Sequence, residues 1–248
     1  MLHVCERKSD LIIPIKELRG QPKTCDNLCN SLPFSHVHCA ITSGKKSCAF
    51  ARPANPDDVL DTMSDEQYEK DKFLPYWAQQ WPACHPLFNF LSTNAASLVP
   101  YPGITCEIGC GLGIISAYLS RAETQIVATD LSFDACRYTA YNMKQNSSKQ
   151  PQIVCSDWRS SPFKIKFDCI LASDILYEQR WIAPVLNFLK GSLSNKGAAF
   201  IADPCRQWWQ EFQATAVAQG FTLSLAWQEV INQGKTTVEV FKISLPGS

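Results

Sequence analysis

The chain has no charge imbalance: across 248 residues, 23 lysines and arginines offset 23 aspartates and glutamates. Nucleic acid and anionic membrane surfaces are met by basic patches, and this balance supplies none. No apolar run approaches the ~20 residues of a membrane span. Residues 1–10 lack the apolar core of a secretory leader. The expectation is a soluble, cytoplasmic protein that engages neither nucleic acid nor membrane. Two further absences are local. No cysteine pair has the C-x-x-C spacing of a common structural zinc site, although twelve cysteines are present. The glycine-rich turn at Gly109 lacks the third glycine of a dinucleotide-binding G-x-G-x-x-G, because that position is Ile114.

What is present supports a packed α/β chain. Hydrophobic residues make up 46%, ample for a sizeable core, and the length fits one domain with an N-terminal extension. The expected division is an extension over 1–65, holding a β-hairpin and a helix, and a main domain over 66–248. The main domain is organised around Ile104-Thr105-Cys106-Glu107-Ile108-Gly109-Cys110-Gly111-Leu112-Gly113-Ile114-Ile115. A short apolar strand meets a glycine turn, which leads into a helix whose apolar face is Ile114, Ile115, Tyr118 and Leu119. Glycines let the backbone turn tightly and let a ligand approach closely.

The pattern at the turn is G-x-G-x-G, with Glu107 two residues before the first glycine. A second apolar stretch, Gln125 to Thr129, ends in Asp130, a carboxylate placed to accept both hydroxyls of a ribose. An acid before the glycines suits a cationic ligand end and sits poorly beside a pyrophosphate. A ribose, a positive charge and no phosphate describe S-adenosylmethionine (SAM). Glu107, Gly109, Gly111 and Gly113 with Asp130 resemble the first two motifs of the class I, seven-strand SAM-dependent methyltransferases.

The segment Leu74-Pro75-Tyr76-Trp77-Ala78-Gln79-Gln80-Trp81-Pro82-Ala83 concentrates aromatics that are costly to expose. Read alone it is a core-covering loop leading into a helix over 82–91, with Pro82 in its first turn. It is also similar to a motif in the branch of the family that contains protein-lysine methyltransferases. That branch includes the enzyme acting on the β subunit of electron-transfer flavoprotein and its bacterial relatives.

After Asp130 strand and helix alternate. Ser132 is placed to cap a helix with Phe133, Cys136, Ala140 and Met143 inward. Strands follow at 152–155, 168–173 and 198–202, with helices over 181–193, with Val185, Leu186 and Leu189 inward, and 207–219. The last two strands, 222–229 and 236–244, read as an antiparallel pair around Asn232-Gln233-Gly234. The expected fold is a Rossmann-like, mostly parallel sheet closed by a C-terminal hairpin. In the extension, Leu11 to Ile15 reads as a short strand, and 36–42 with 47–52 as a hairpin about Ser43-Gly44-Lys45-Lys46. Residues 57–72 are helix-compatible. Cys25, Cys29, His36, His38, Cys39 and Cys48 form a dense group, but alternation along strands argues against zinc. Cys106, Cys110, Cys136, Cys155, Cys169 and Cys205 read as small apolar side chains.

The resemblance implies roles for individual residues. Gly109, Gly111 and Gly113 would line SAM, Asp130 would take its ribose, and Trp81 would contact it from the upstream segment. Asp157 and Trp158 would form the adenine subsite, and Ser173 would touch SAM beside a D-x-x-Y segment, Asp174-Ile175-Leu176-Tyr177. Asp174 and Tyr177 are the candidates for orienting and packing the acceptor at the carboxyl end of their strand. Asp203-Pro204-Cys205-Arg206 is similar to an Asp-Pro-x-Arg segment of the same relatives. It is read equally as lining the acceptor channel and as a structural salt bridge. The N-P-P-[YF] of many small-molecule and amide methyltransferases is absent. The leading expectation is therefore lysine N-methylation on a protein substrate, without metal. Small-molecule methylation and a non-catalytic module retaining the fold are the alternatives.

Overall fold

The computed structural model describes residues 23–24, 32–64, 74–98, 103–122 and 124–246. In chain order these form β1 (Lys23–Thr24), β2 (His36–Ser43), β3 (Lys46–Pro53), α1 (Asp57–Leu60), α2 (Cys84–Leu98) and β4 (Ile104–Ile108). Next come α3 (Ile114–Leu119), β5 (Gln125–Asp130), α4 (Phe133–Asn146), β6 (Gln152–Cys155), β7 (Phe167–Ser173), α5 (Ile182–Ser192) and β8 (Leu193–Asp203). The chain closes with α6 (Trp209–Ala218), β9 (Thr222–Ile231) and β10 (Thr236–Ser244). Short 3-10 turns stand at Tyr76–Ala78, Trp158–Ser160 and Gln179–Trp181.

The main sheet runs β1-β6-β5-β4-β7-β8-β10-β9. Strands β6, β5, β4, β7 and β8 are parallel. β10 lies antiparallel between β8 and β9, so the C-terminal hairpin and the mostly parallel sheet are as expected. The parallel strands read as apolar runs because helices cover both faces. Alternate residues feed opposite cores. Ile126, Ala128, Cys169 and Leu171 join the side of α2, α3 and α4. Cys106, Ile108, Val127 and Ile170 join the side of α5 and α6. From β4 the chain winds outward to β5 and β6, then returns to β7 on β4's other edge. The sheet order therefore reverses between β4 and β7, where open α/β sheets place their ligands.

The β2–β3 hairpin has the register expected from its sequence, with Ser43 opposite Lys46. It buries Ile41, Cys48 and Phe50 in the first core. Other expectations need correction. Helix α2 starts at Cys84 and runs to Leu98, with Pro82 two residues upstream of it. β8 starts at Leu193 and not at 198, so Gly197 lies inside the strand. There a Cβ would stand 2.8 Å from the Phe167 carbonyl oxygen, so only glycine fits the close strand approach. Phe133, the first residue of α4, is 43% exposed, and Cys205, in the loop after β8, is exposed, so neither is the buried apolar side chain expected. α1 covers only 57–60. The Leu11–Ile15 strand, Cys25, Cys29 and residues 65–72 of the anticipated helix lie outside the described residues. Among the described residues no helix is long and apolar enough to cross a membrane. No group of three or more His, Cys, Asp or Glu side chains among them is arranged to hold a metal.

Candidate active site

The strand ends at the switch point open on a cavity of about 300 Å³, at the small end of ligand-pocket sizes. Its floor is the turn after β4. Gly109, Gly111 and Gly113 have φ of +60°, +52° and +65°, a region that L side chains enter at a cost of ~1–2 kcal/mol. A Cβ on Gly109 would stand 2.9 Å from both Ile175 Cγ2 and Trp158 Cζ3, so the turn and the opposite wall touch only because this residue is glycine. A Cβ on Gly111 would stand 3.5 Å from the Trp77 carbonyl oxygen, and both residues line the cavity. Gly113 differs from its expected role. A Cβ there would lie 2.4 Å from Thr139 Cγ2, so it serves close packing against α4, and it is not among the lining residues.

Two acids flank the turn. Glu107 is 4% exposed and accepts from the Ser116 backbone N–H at 2.8 Å and from the Ser116 hydroxyl. Burial pushes its carboxyl up to about 7, against the lowering effect of those hydrogen bonds. Asp130 accepts from Gly111 N at 2.9 Å on Oδ2 and from Ser132 N at 2.8 Å on Oδ1. Burial raises its pKa as well. Each carboxylate oxygen has two acceptor sites, so Asp130 ties the turn to the start of α4 and retains capacity for hydroxyl donors.

The walls are aromatic. Tyr76, Trp77 and Trp81 come from the upstream segment, Trp158 from the turn after β6, and Tyr177 and Trp181 from the stretch after β7. Tyr76 meets Tyr177 edge-on at 5.1 Å and Trp81 at 5.5 Å, while Trp158 meets Trp181 at 5.6 Å. Trp158 Nε1 is a buried donor without a partner among the described residues. Burial raises the Tyr177 phenol, which stays protonated. Asp157 lines the cavity but is engaged. It takes the Arg159 backbone N–H at 2.8 Å on Oδ1, and Arg159 Nε at 2.6 Å and Nη2 at 2.5 Å on Oδ2. The adenine contact expected of Asp157 would have to share that carboxylate with Arg159. Ser173 lines the cavity at the end of β7.

At the other end stands an ion-pair cluster that was only half legible in the sequence. Asp174, in a left-handed conformation (φ +59°), accepts from Arg206 Nη2 at 2.7 Å and from the Ala83 backbone N–H at 2.8 Å. Arg206 Nη1 also pairs with Asp203 at 3.3 Å, and its guanidinium lies 5.9 Å from the Trp81 ring centre. Burial raises both carboxyls, Asp203 to about 6, while Arg206 opposes the rise. One guanidinium thus faces two buried carboxylates. Asp174 joins three segments: the end of β7, the N-terminus of α2 and the Asp-Pro-Cys-Arg turn. Trp181 escaped the sequence reading because it looked like the first residue of a helix. The visible signal was its i+4 spacing from Tyr177.

Residues 106–197 match the methyltransferase domain family. Among solved structures, the chain is similar to a TehB-like SAM-dependent methyltransferase from Corynebacterium glutamicum, at 19% identity and a TM-score of 0.50, covering 61% of this chain and 86% of that one. A ribosomal protein L11 methylase from Lactobacillus delbrueckii subsp. bulgaricus matches at 17% identity and 0.50, covering 65% and 79%. A glycopeptide N-methyltransferase matches at 10% identity and 0.52, covering 64% and 94%. No curated protein matches the chain. These structural likenesses establish the fold. The matched segment carries Glu107, Gly109, Asp130, Asp157 and Ser173, and the cavity it lines has acids for a cation and hydroxyls and flat walls for an adenine. Residues 106–197 thus match a methyltransferase domain, on a fold shared with SAM-dependent methyltransferases.

Proposed function

We propose that the protein is a SAM-dependent methyltransferase whose acceptor is a protein side-chain amine, specifically lysine. The observation that carries this reading is the charge of the cavity. Glu107, Asp130, Asp157 and Asp174 line it, with Asp157 paired to Arg159, and among the described residues Arg206 is the single basic lining residue. Asp174 and Asp203 share that one guanidinium, so the cluster is one positive charge short, and Asp174 and Arg206 line the same cavity as Tyr76, Trp81 and Tyr177. An ammonium on a slender aliphatic stem matches both features, because aromatic faces attract cations and pack against methylenes.

SAM supplies a methyl group already activated on a sulfonium, so the protein's own work is alignment and exclusion of water. A lysine ammonium, with a reference pKa of ~10.4, must lose a proton before its nitrogen can attack. The Asp174–Arg206–Asp203 cluster would orient the incoming cation, and Tyr177 and Tyr76 would hold its stem. Desolvation between the aromatic walls would favour the neutral amine. Incubating the pure protein with labelled SAM and a cell extract tests the reading. Label in protein, released as methyl-lysine on hydrolysis, is the expected result. Label confined to small molecules would overturn it.

A further inference from the structure

Behind the glycine turn, α4 carries polar side chains on an inward face: Thr139, Asn142 and Asn146, at the i, i+3 and i+7 positions of one stripe. Thr139 and Asn142 are fully buried. Thr139 Oγ1 donates to the Gly111 carbonyl at 3.0 Å. Asn142 Nδ2 donates to the Leu112 carbonyl at 2.8 Å and to the Ala51 carbonyl at 3.0 Å, while its Oδ1 accepts from Ala51 N at 2.6 Å. One buried amide therefore replaces a ladder partner for the hairpin strand β3 and holds the backbone of the cofactor turn. Asn146 extends the docking one turn on. It donates to the Ala49 carbonyl at 2.7 Å and accepts from Arg121, which donates to the Ser47 carbonyl at 2.7 Å. Gly111 and Leu112 line the cavity, whereas no residue of the hairpin does.

We infer that the N-terminal hairpin belongs to the cofactor-binding apparatus, and that Asn142 is the positioning residue through which its docking sets the Gly111–Leu112 backbone. The reasoning rests on the cofactor assignment and is independent of the acceptor. Carbonyls held from behind keep a glycine turn in its binding conformation. A turn that must be ordered on binding loses affinity by that ordering cost. Both N–H groups and the oxygen of Asn142 are engaged, so nothing short of a planar amide serves both partners.

The test is calorimetric SAM titration of the wild type and four variants, with hydrogen exchange at amides 110–113 measured without cofactor. Asn142→Ala should raise the SAM Kd at least about tenfold and accelerate exchange in the turn. Asn146→Ala touches the hairpin and no lining residue, so a rise of threefold or more with faster turn exchange is the decisive expectation. Thr139→Val should act like Asn142→Ala, and Thr139→Ser, which keeps the hydroxyl, should retain wild-type affinity. At saturating SAM, kcat should change far less than KM for SAM. Wild-type affinity and exchange in Asn146→Ala would overturn the coupling and leave the hairpin a role in stability alone. Where Asn142→Ala fails to fold, Asn146→Ala and the Thr139 pair decide the matter. A wild type that failed to bind SAM would strike the cofactor assignment, and exchange in the cofactor-free protein would still judge the coupling.

Discussion

Replacing Arg206 with methionine removes the cation that pairs with two buried carboxylates and leaves an uncharged side chain in its place. Asp174 and Asp203 are 5% and 1% exposed at their side chains. Breaking such a pair costs ~3–5 kcal/mol because the partners stay buried and uncompensated. The penalty has a ceiling, since a stranded carboxylate can take a proton. Holding one Asp protonated against its ordinary pKa of 3.8 costs about 1.4 kcal/mol per pH unit. Asp203 is already raised to about 6 by burial, and loss of the guanidinium raises both carboxyls further. The folded variant therefore binds more protons than the unfolded chain from about pH 4 upward, and its stability falls as pH rises. The stability gap to wild type should be small near pH 4 and grow by roughly 2–3 kcal/mol between pH 6 and pH 8. Urea unfolding of both proteins at pH 5, 6 and 8 measures it. A gap below ~1 kcal/mol that does not change with pH would mean that solvent screens the cluster like a surface pair, and the buried-cluster argument would fail.

Three further outcomes are expected. Glu107 sits at about 7 through burial, and a cationic ligand favours its ionised form. SAM affinity should therefore rise with pH through 7, with proton release visible by calorimetry in buffers of different ionisation enthalpy, and Glu107→Gln should flatten both. Asp174→Asn removes the charge that the acceptor meets and weakens the tie to Arg206. Turnover on the substrate identified in the extract should fall more than tenfold, ~1.4 kcal/mol in the barrier, while SAM still binds; near-wild-type turnover would turn attention to an uncharged acceptor. Gly109→Ala places a Cβ 2.9 Å from Ile175 and Trp158 at φ +60°, so it should lower the melting temperature by several degrees and weaken SAM binding more than tenfold. Unchanged calorimetry and melting would show that the turn and wall separate freely.

The elements of the main domain were written locally, and so were legible. Periodicity along β4, β5 and β7 and the cap at Ser132 depend on neighbours within one turn or strand. The glycine turn and Asp130 were equally visible, because a tight turn needs residues free to take positive φ, and a strand end needs only its own last residue. The sequence also concentrated the aromatics of 74–83 and the D-x-x-Y segment where they matter. What tertiary structure alone decided are contacts between residues far apart in the chain. Gly113 packs against Thr139, a contact that exists only because packing brings α4 against the turn. Asp174 proves to be half of an ion pair because the sheet sets the ends of β7 and β8 side by side, carrying Arg206 to it across 32 positions. Asn142 reads in sequence as an ordinary polar helix residue. Its partners lie 91 and 30 positions away, on a hairpin and on a turn. Local pattern encodes which face an element buries, but the identity of what is buried against it is a property of the assembled sheet.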